Sequence, residues 1–199
     1  MVDEQLARRD ITDASVLAAM RSVPRHEFVP GAALDEAYDD RPLPIGHGAT
    51  ISQPYIVALM TQALAVTPRD RVLEIGTGSG YGAAILAELA AEVVTVERVT
   101  PLARAAAERL AHLDHVRVVA GDGADPGTVG GLFDAISVTA ATPELPTALL
   151  EHLAPGGRLV APVGSDVADL VRVTRSSTGD ARETLTKVRF VPLRRGVTD

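Results

Sequence analysis

Arg71-Val72-Leu73-Glu74-Ile75-Gly76-Thr77-Gly78-Ser79-Gly80 is the stretch on which the fold turns. Five residues rich in Val, Leu and Ile read as a short buried strand, and the glycines that follow break it into a loop. The pattern then repeats. Tyr81 to Ala90 is helical, and Glu92-Val93-Val94-Thr95-Val96-Glu97 is a second strand, followed by an Ala/Arg-rich helix to about His112. Val116 to Val119 is a third strand and Asp134 to Val138 a fourth. Pro143 to Leu153 reads as a helix with Thr142 as its cap, and Arg158 to Val163 as a fifth strand. Strands alternating with helices at this spacing make βαβ units and a parallel sheet.

Outside this core the texture changes. Leu170 to Arg175, a turn at Ser177-Thr178-Gly179-Asp180, and Glu183 to Leu193 read as an antiparallel hairpin. Residues 1–69 read as helices and loops without a strand. Thr12 and Asp13 offer cap chemistry before Val16, Leu17 and Met20. Two prolines and two glycines keep Arg41 to Gly48 extended or turning. A further helix begins after Ser52, carrying Ile56, Val57, Leu59, Met60 and Leu64. With no repeat, low-complexity segment or linker, the expectation is one α/β domain over 1–199. It has a helical segment (1–69), a βαβ core (70–165) and a terminal hairpin (166–199).

Composition narrows the function classes. Aromatics are 3% of 199 residues, so Ala, Val and Leu must build the core. A net charge of −7, with no basic stripe or aromatic platform, argues against a nucleic-acid partner. The absence of cysteine excludes disulfides, a thiolate nucleophile and a cysteine-ligated zinc. His26 and His47 have no partner at ligand spacing, so both are read as structural and no metal site is expected. The acidic start Met1-Val2-Asp3-Glu4-Gln5 lacks the features of a signal peptide, and no apolar run approaches the roughly 20 residues needed to span a bilayer. A cytoplasmic protein without a membrane partner is expected, as a monomer.

Three features fall at the carboxyl ends of successive strands, where open α/β sheets bind ligands. In Glu74-Ile75-Gly76-Thr77-Gly78-Ser79-Gly80, the glycines permit close approach of a ligand to the backbone. Glu97, at the end of the second strand, can accept from both ribose hydroxyls. Gly121-Asp122-Gly123, after the third, is placed to bracket an adenine, with Asp122 accepting from the exocyclic amine. Taken singly these are a tight turn, a solvated strand end and a turn residue; taken together they make a nucleoside site. The spacing G-x-G-x-G differs from the G-x-G-x-x-G that suits a pyrophosphate, which tilts the reading from a nicotinamide-dependent oxidoreductase toward S-adenosylmethionine without deciding it.

The segment Gly46-His47-Gly48-Ala49-Thr50-Ile51-Ser52-Gln53-Pro54-Tyr55 resembles the substrate-side signature of the protein-L-isoaspartate O-methyltransferases of the bacterial type. The resemblance continues through Val72 to Tyr81, Phe133 to Ala141 and Gly156 to Gly164, closes at Val188 to Leu193, and covers residues 11 to 196. It implies a three-layer, Rossmann-like S-adenosylmethionine methyltransferase fold with a mostly parallel sheet, N-terminal helices and an altered C-terminal sheet edge. It also implies a substrate, the L-isoaspartyl residues of ageing proteins, and an active-site serine at Ser52. Glu74, Gly76, Thr77, Gly78, Ser79, Gly80, Glu97, Asp122 and Gly123 correspond to cofactor contacts, and Thr50, Ile51, Tyr55, Thr139, Ala140 and Leu193 to the substrate side. Two departures stand out: Gly82 replaces the usual Gln, and Ala124 to Gly131 is unusually rich in Gly and Asp.

The implied chemistry suits these residues. The free α-carboxylate of an isoaspartyl linkage, with a pKa of roughly 3.5–4, is ionised at neutral pH and is itself the nucleophile. No general base is required, only in-line placement of oxygen, methyl carbon and sulfur at roughly 3 Å contact. The methyl ester then closes to a succinimide by attack of the neighbouring amide nitrogen, and hydrolysis restores some normal aspartate. Ser52 can donate to one carboxylate oxygen; without the resemblance it reads as a helix N-cap. Three other readings remain: a methyltransferase of one dedicated peptide or a small carboxylate, a nicotinamide-dependent oxidoreductase, and a non-catalytic binding module.

Overall fold

The computed structural model describes the backbone of residues 1–199 and every side chain except that of Pro126. A turn of π-helix (Val2–Leu6) and α1 (Ala14–Ser22) open the chain, followed by a 3-10 turn (Arg25–Phe28) and α2 (Leu34–Ala37). Asp13 caps α1, its carboxylate accepting from the N–H groups of Ser15 and Val16 at 2.8 and 3.3 Å. A hairpin of β1 (Leu43–Gly46) and β2 (Ala49–Ile51) leads into α3 (Pro54–Leu64). The core then runs β3 (Arg71–Ile75), α4 (Tyr81–Ala87), β4 (Glu92–Glu97), α5 (Thr100–Leu110), β5 (Val116–Ala120), β6 (Phe133–Val138), α6 (Thr147–Leu150), β7 (Leu153–Val163), β8 (Ala168–Thr174) and β9 (Ala181–Val188).

The large sheet has seven strands in the order β5-β4-β3-β6-β7-β8-β9, parallel from β5 to β7 and antiparallel from β7 to β9. This is the expected α/β class. Its central strands are buried on both faces, as a parallel sheet requires. Val72, Val93 and Ala135 are adjacent in register and pack under the N-terminal helices, while their successors Leu73, Val94 and Ile136 point to the other side. Ala, Val and Leu do fill this core, with Phe133 the largest aromatic on the second face.

Three expectations are corrected. The N-terminal segment does contain strands, β1 and β2. They were hidden because each is very short and β1 carries Pro44; the turn residues His47 and Gly48 both have positive φ, 53° and 72°, as a type I′ hairpin requires. The helix expected from Pro143 to Leu153 shrinks to α6, and Thr142 does not cap it. Pro143 and Pro146 push the residues before them out of helical conformation, and Thr142 instead lies beside β7, its N–H donating to Pro162 O at 3.0 Å. The last strand stops at Val188. Beyond it the chain crosses toward the tip of β6, where Ala141 N–H donates to Val191 O at 2.8 Å and Leu193 N–H to Ala141 O at 2.7 Å.

Phe133 is fully buried at the first position of β6, and the Arg71 guanidinium lies 4.3 Å from its ring centroid. Phe133→Ala is expected to destabilise the fold by about 3–5 kcal/mol, read in urea as a lowered midpoint at unchanged slope.

Candidate active site

β3 and β6 are neighbours, but the chain leaves β3 toward β4 and leaves β6 toward β7, so a crevice opens at their carboxyl ends. The glycine loop lies on one side. Gly76 has φ 97°, and a Cβ there would sit 2.3 Å from Thr139 Oγ1, so only glycine lets the two strand tips meet. The Thr139 hydroxyl lies 2.9 and 2.7 Å from the carbonyl oxygens of Ile75 and Gly76 and donates to that pair. Glu97, at the end of β4 and 6% exposed, holds the loop from the other side: Oε2 accepts from Gly78 N–H at 2.8 Å and Oε1 from Val99 N–H at 3.0 Å.

Three hollows meet here. A cleft of about 330 Å³ is lined by Gly76, Gly78, Glu97, Val99 and Gly123 on the strand tips, and by Thr139, Ala140, Pro192 and Leu193 opposite. Behind it a small polar recess reaches between α3 and α4, past Glu74, Thr77, Ser79, Gly82 and Ser137. In front, an open groove runs past Ser52, Gln53, Ile56, Lys187, Arg189 and Phe190. Thr50 and Thr139 line all three; Ser52 lines the recess and the groove.

Glu74 is the buried acid of the recess. The Thr77 and Thr95 hydroxyls are hydrogen-bonded at 2.6 Å, and the Thr95 hydroxyl in turn lies 2.6 Å from Glu74 Oε2. Oε1 lies against Gly82, where an added Cβ would be only 2.2 Å away. Gly82 therefore gives the carboxyl its room. Burial, opposed by the Thr95 hydrogen bond and aided by the charge of Glu97, pushes the Glu74 pKa up to about 8.

Ser52 follows the β1–β2 hairpin and precedes α3. The cap position belongs to Gln53, not to Ser52, and Pro54 supplies the first helical residue without an N–H. The Tyr55 N–H donates to Asp40 Oδ1 at 3.0 Å, and the N–H groups of Ile56 and Val57 donate to Gln53 O at 3.0 and 3.1 Å. The N–H groups of Tyr55, Ile56 and Val57 are thus already engaged within the protein. The Ser52 hydroxyl itself has no hydrogen-bond partner among the described residues.

Two of the expected site residues point elsewhere. Asp122 lines none of the three hollows; its Oδ1 accepts from Ala124 N–H at 2.8 Å and its Oδ2 from Gly196 N–H at 2.7 Å, because a short acid at a turn bonds nearby backbone more readily than it reaches across a cleft. Gly123 does line the cleft. Tyr55 turns to the N-terminal segment, its hydroxyl donating to Asp10 at 2.8 Å beneath the Arg9 guanidinium. Gly80 forms the start of α4 rather than a wall, and Ile51 lines the recess. His47, read from the sequence as structural, lines the cleft with Gly48 of the same substrate-side segment. Val167, Lys187 and Arg194, to which sequence reasoning assigned no role, also line the cleft or the groove. Only the resemblance at Val188 to Leu193 hinted that the segment after the hairpin returns to the strand tips.

A family model described as protein-L-isoaspartate(D-aspartate) O-methyltransferase matches residues 1–198. The chain belongs to that family. It is 55% identical to protein-L-isoaspartate O-methyltransferase 1 of Rhodopseudomonas palustris, over 97% of this chain and 81% of that protein. To the protein-L-isoaspartate O-methyltransferase of Gloeobacter violaceus it is 52% identical, over 98% and 97% of the two chains. Its structure is similar to that of a Plasmodium falciparum chain described as a protein-L-isoaspartate O-methyltransferase, solved in complex with S-adenosyl-L-homocysteine. The TM-score is 0.85 at 29% identity, covering 97% of this chain and 96% of that one.

In this protein-L-isoaspartate O-methyltransferase family member, Glu74 also makes stability depend on pH. Its folded pKa of about 8 lies above the ordinary value of 4.5, so between those limits the folded state holds a proton that the unfolded chain has released. Stability therefore falls as pH rises from about 4.5 to about 8 and levels off above. Glu74→Gln is expected to remove that slope, so that urea midpoints of variant and parent diverge progressively across the window.

Proposed function

We infer that this chain transfers the methyl group of S-adenosylmethionine to the free α-carboxylate of L-isoaspartyl residues in damaged proteins and peptides. The observation that carries the reading is the unpartnered Ser52 hydroxyl, which lines both the polar recess behind the nucleoside-sized cleft and the open groove in front of it. Family membership and the likeness to a structure holding S-adenosyl-L-homocysteine support it.

The residues present fit the cofactor. Two protein donors already occupy the Glu97 carboxylate, which has about four acceptor positions, so some remain for ribose hydroxyls. Gly76, Gly78 and Gly123 keep the cleft open to a flat ring and sugar. Glu74 turns a carboxyl oxygen into the recess, where an ammonium-bearing tail would find an acceptor. Asp122 acts behind the wall, tying Gly196 to the loop after β5. When bound, S-adenosylmethionine supplies a methyl group already activated on a sulfonium. The protein's part is then to orient the carboxylate through Ser52, with Thr50 and Thr139 fixing the passage between cleft and groove and Val191 to Leu193 forming the opposite wall.

General repair of many proteins, rather than service to one dedicated peptide, fits a groove of 590 Å³ open to solvent. The same reading takes residues 1–199 as one methyltransferase domain that works as a monomer in the cytoplasm without a nucleic-acid partner. The net charge of −7 argues against a nucleic-acid partner, and no helix among the described residues is long and apolar enough to cross a membrane.

Labelled S-adenosylmethionine should methylate an isoaspartyl peptide and not its aspartyl twin; equal labelling of both, or of neither, would sink the reading. Ser52→Ala should lower kcat/KM by about 10²-fold while S-adenosylhomocysteine affinity in calorimetry is retained. NAD should give no heat.

A further inference from the structure

We propose that Asp40 is the positioning residue of this active site: it takes over the capping of α3 from outside the helix, and so leaves the Ser52 hydroxyl free for the substrate. The proposal rests on the methyl-transfer reading above.

A side chain at or beside the cap position ordinarily accepts from the first-turn N–H groups, and here neither Gln53 nor Ser52 does. In Ser52-Gln53-Pro54-Tyr55 that bond is not made, and the donor it would satisfy is held from a distant loop. Asp40 Oδ1 accepts from Tyr55 N–H at 3.0 Å, and Oδ2 accepts from Gln53 Nε2 at 2.8 Å. One carboxylate therefore grips both residues that flank Pro54, immediately after Ser52. The grip is itself braced. Arg9 Nη1 donates to Asp40 Oδ2 at 3.1 Å while its guanidinium carbon lies 3.3 Å from the Tyr55 ring centroid, and the Tyr55 hydroxyl donates to Asp10. Asp40 is part-buried, with its side chain 22% exposed.

Two consequences follow for Ser52. Its hydroxyl has no internal acceptor or donor competing for it. Its position is also fixed on both sides, by the paired strand β2 before it and by the clamped helix start after it. The alternative is that Asp40 only stabilises the fold. A purely structural role would weaken cofactor binding and thermal stability together with turnover, because the glycine loop shares the same core. A positioning role acts on the peptide side alone.

The test uses the full chain and its Asp40→Ala and Asp40→Asn variants. Methylation of an isoaspartyl peptide, the S-adenosylhomocysteine Kd and the melting temperature are measured for each. Turnover by the parent chain is the control for the methyl-transfer reading; its absence defeats that reading rather than this one. Asp40→Ala is expected to raise the peptide KM and lower kcat/KM about tenfold or more, with Kd held within about twofold. Asp40→Asn keeps one acceptor for the Tyr55 N–H and should recover most of the loss. The proposal is overturned by an Asp40→Ala variant of unchanged kcat/KM, by Kd and melting temperature falling in step with kcat/KM, or by an Asn variant no better than Ala.

Discussion

Where β3 ends, the Ile75 carbonyl accepts the backbone N–H of Thr139 at 2.9 Å, and the Thr139 hydroxyl, just past the end of β6, donates to the carbonyls of Ile75 and Gly76. That contact sets the width of the crevice on which everything else is built. It demands glycine at 76, because a Cβ would collide with the Thr139 hydroxyl. It also demands a left-handed loop, which the carboxylate of Glu97 then holds through the Gly78 N–H. With both strand tips fixed, the segment after β9 can pair with Ala141 and close the far wall. Cleft, recess and groove meet at Thr139 because it belongs to the joint between the strands.

The inferred chemistry brings an anion to a cation, so charge disappears as the bond forms. A strong positive partner for the carboxylate would stabilise the bound substrate more than the transition state, and would slow the step. A helix terminus with free N–H groups would be such a partner. Here that terminus is already engaged by Asp40 and by the Gln53 carbonyl, and the group facing the junction is a neutral hydroxyl. A neutral donor orients the oxygen while costing little of its nucleophilicity. The arrangement at the start of α3 is therefore consistent with the reaction as well as with the fold.

The sheet was legible in the sequence wherever burial on both faces imposes continuous apolar runs, as in Val72 to Ile75 and Glu92 to Glu97. It was not legible where a few residues pair for geometric reasons, as in β1 and β2, whose short strands and Pro44 hide them. Thr142 shows the other failure: a good cap residue in front of a proline was overruled by the neighbouring strand, which needed its N–H. At the site, position was readable and orientation was not. Gly76 and Glu97 could be placed by strand ends, and Ser52 only through the family resemblance, whereas Asp122 and Tyr55 turn to partners more than 40 positions away in the chain, Gly196 and Asp10. No local pattern encodes such a bond.

Those distant bonds explain how a chain of net charge −7 can hold a site for an anionic group. The acids nearest the strand tips are bound to the protein's own backbone: Glu97 by Gly78 and Val99, Asp122 by Ala124 and Gly196, Asp40 by Tyr55. Each thereby clamps a loop, its charge partly offset by the N–H dipoles it accepts from. Glu74, which burial keeps protonated up to about pH 8, adds no full charge near neutrality. On the substrate side the groove presents Arg189, while the Lys187 ammonium beside it is already paired with Asp169 at 2.9 Å. The local field at Ser52 is set by which carboxylates are already satisfied, and the overall charge of the molecule is a poor guide to it.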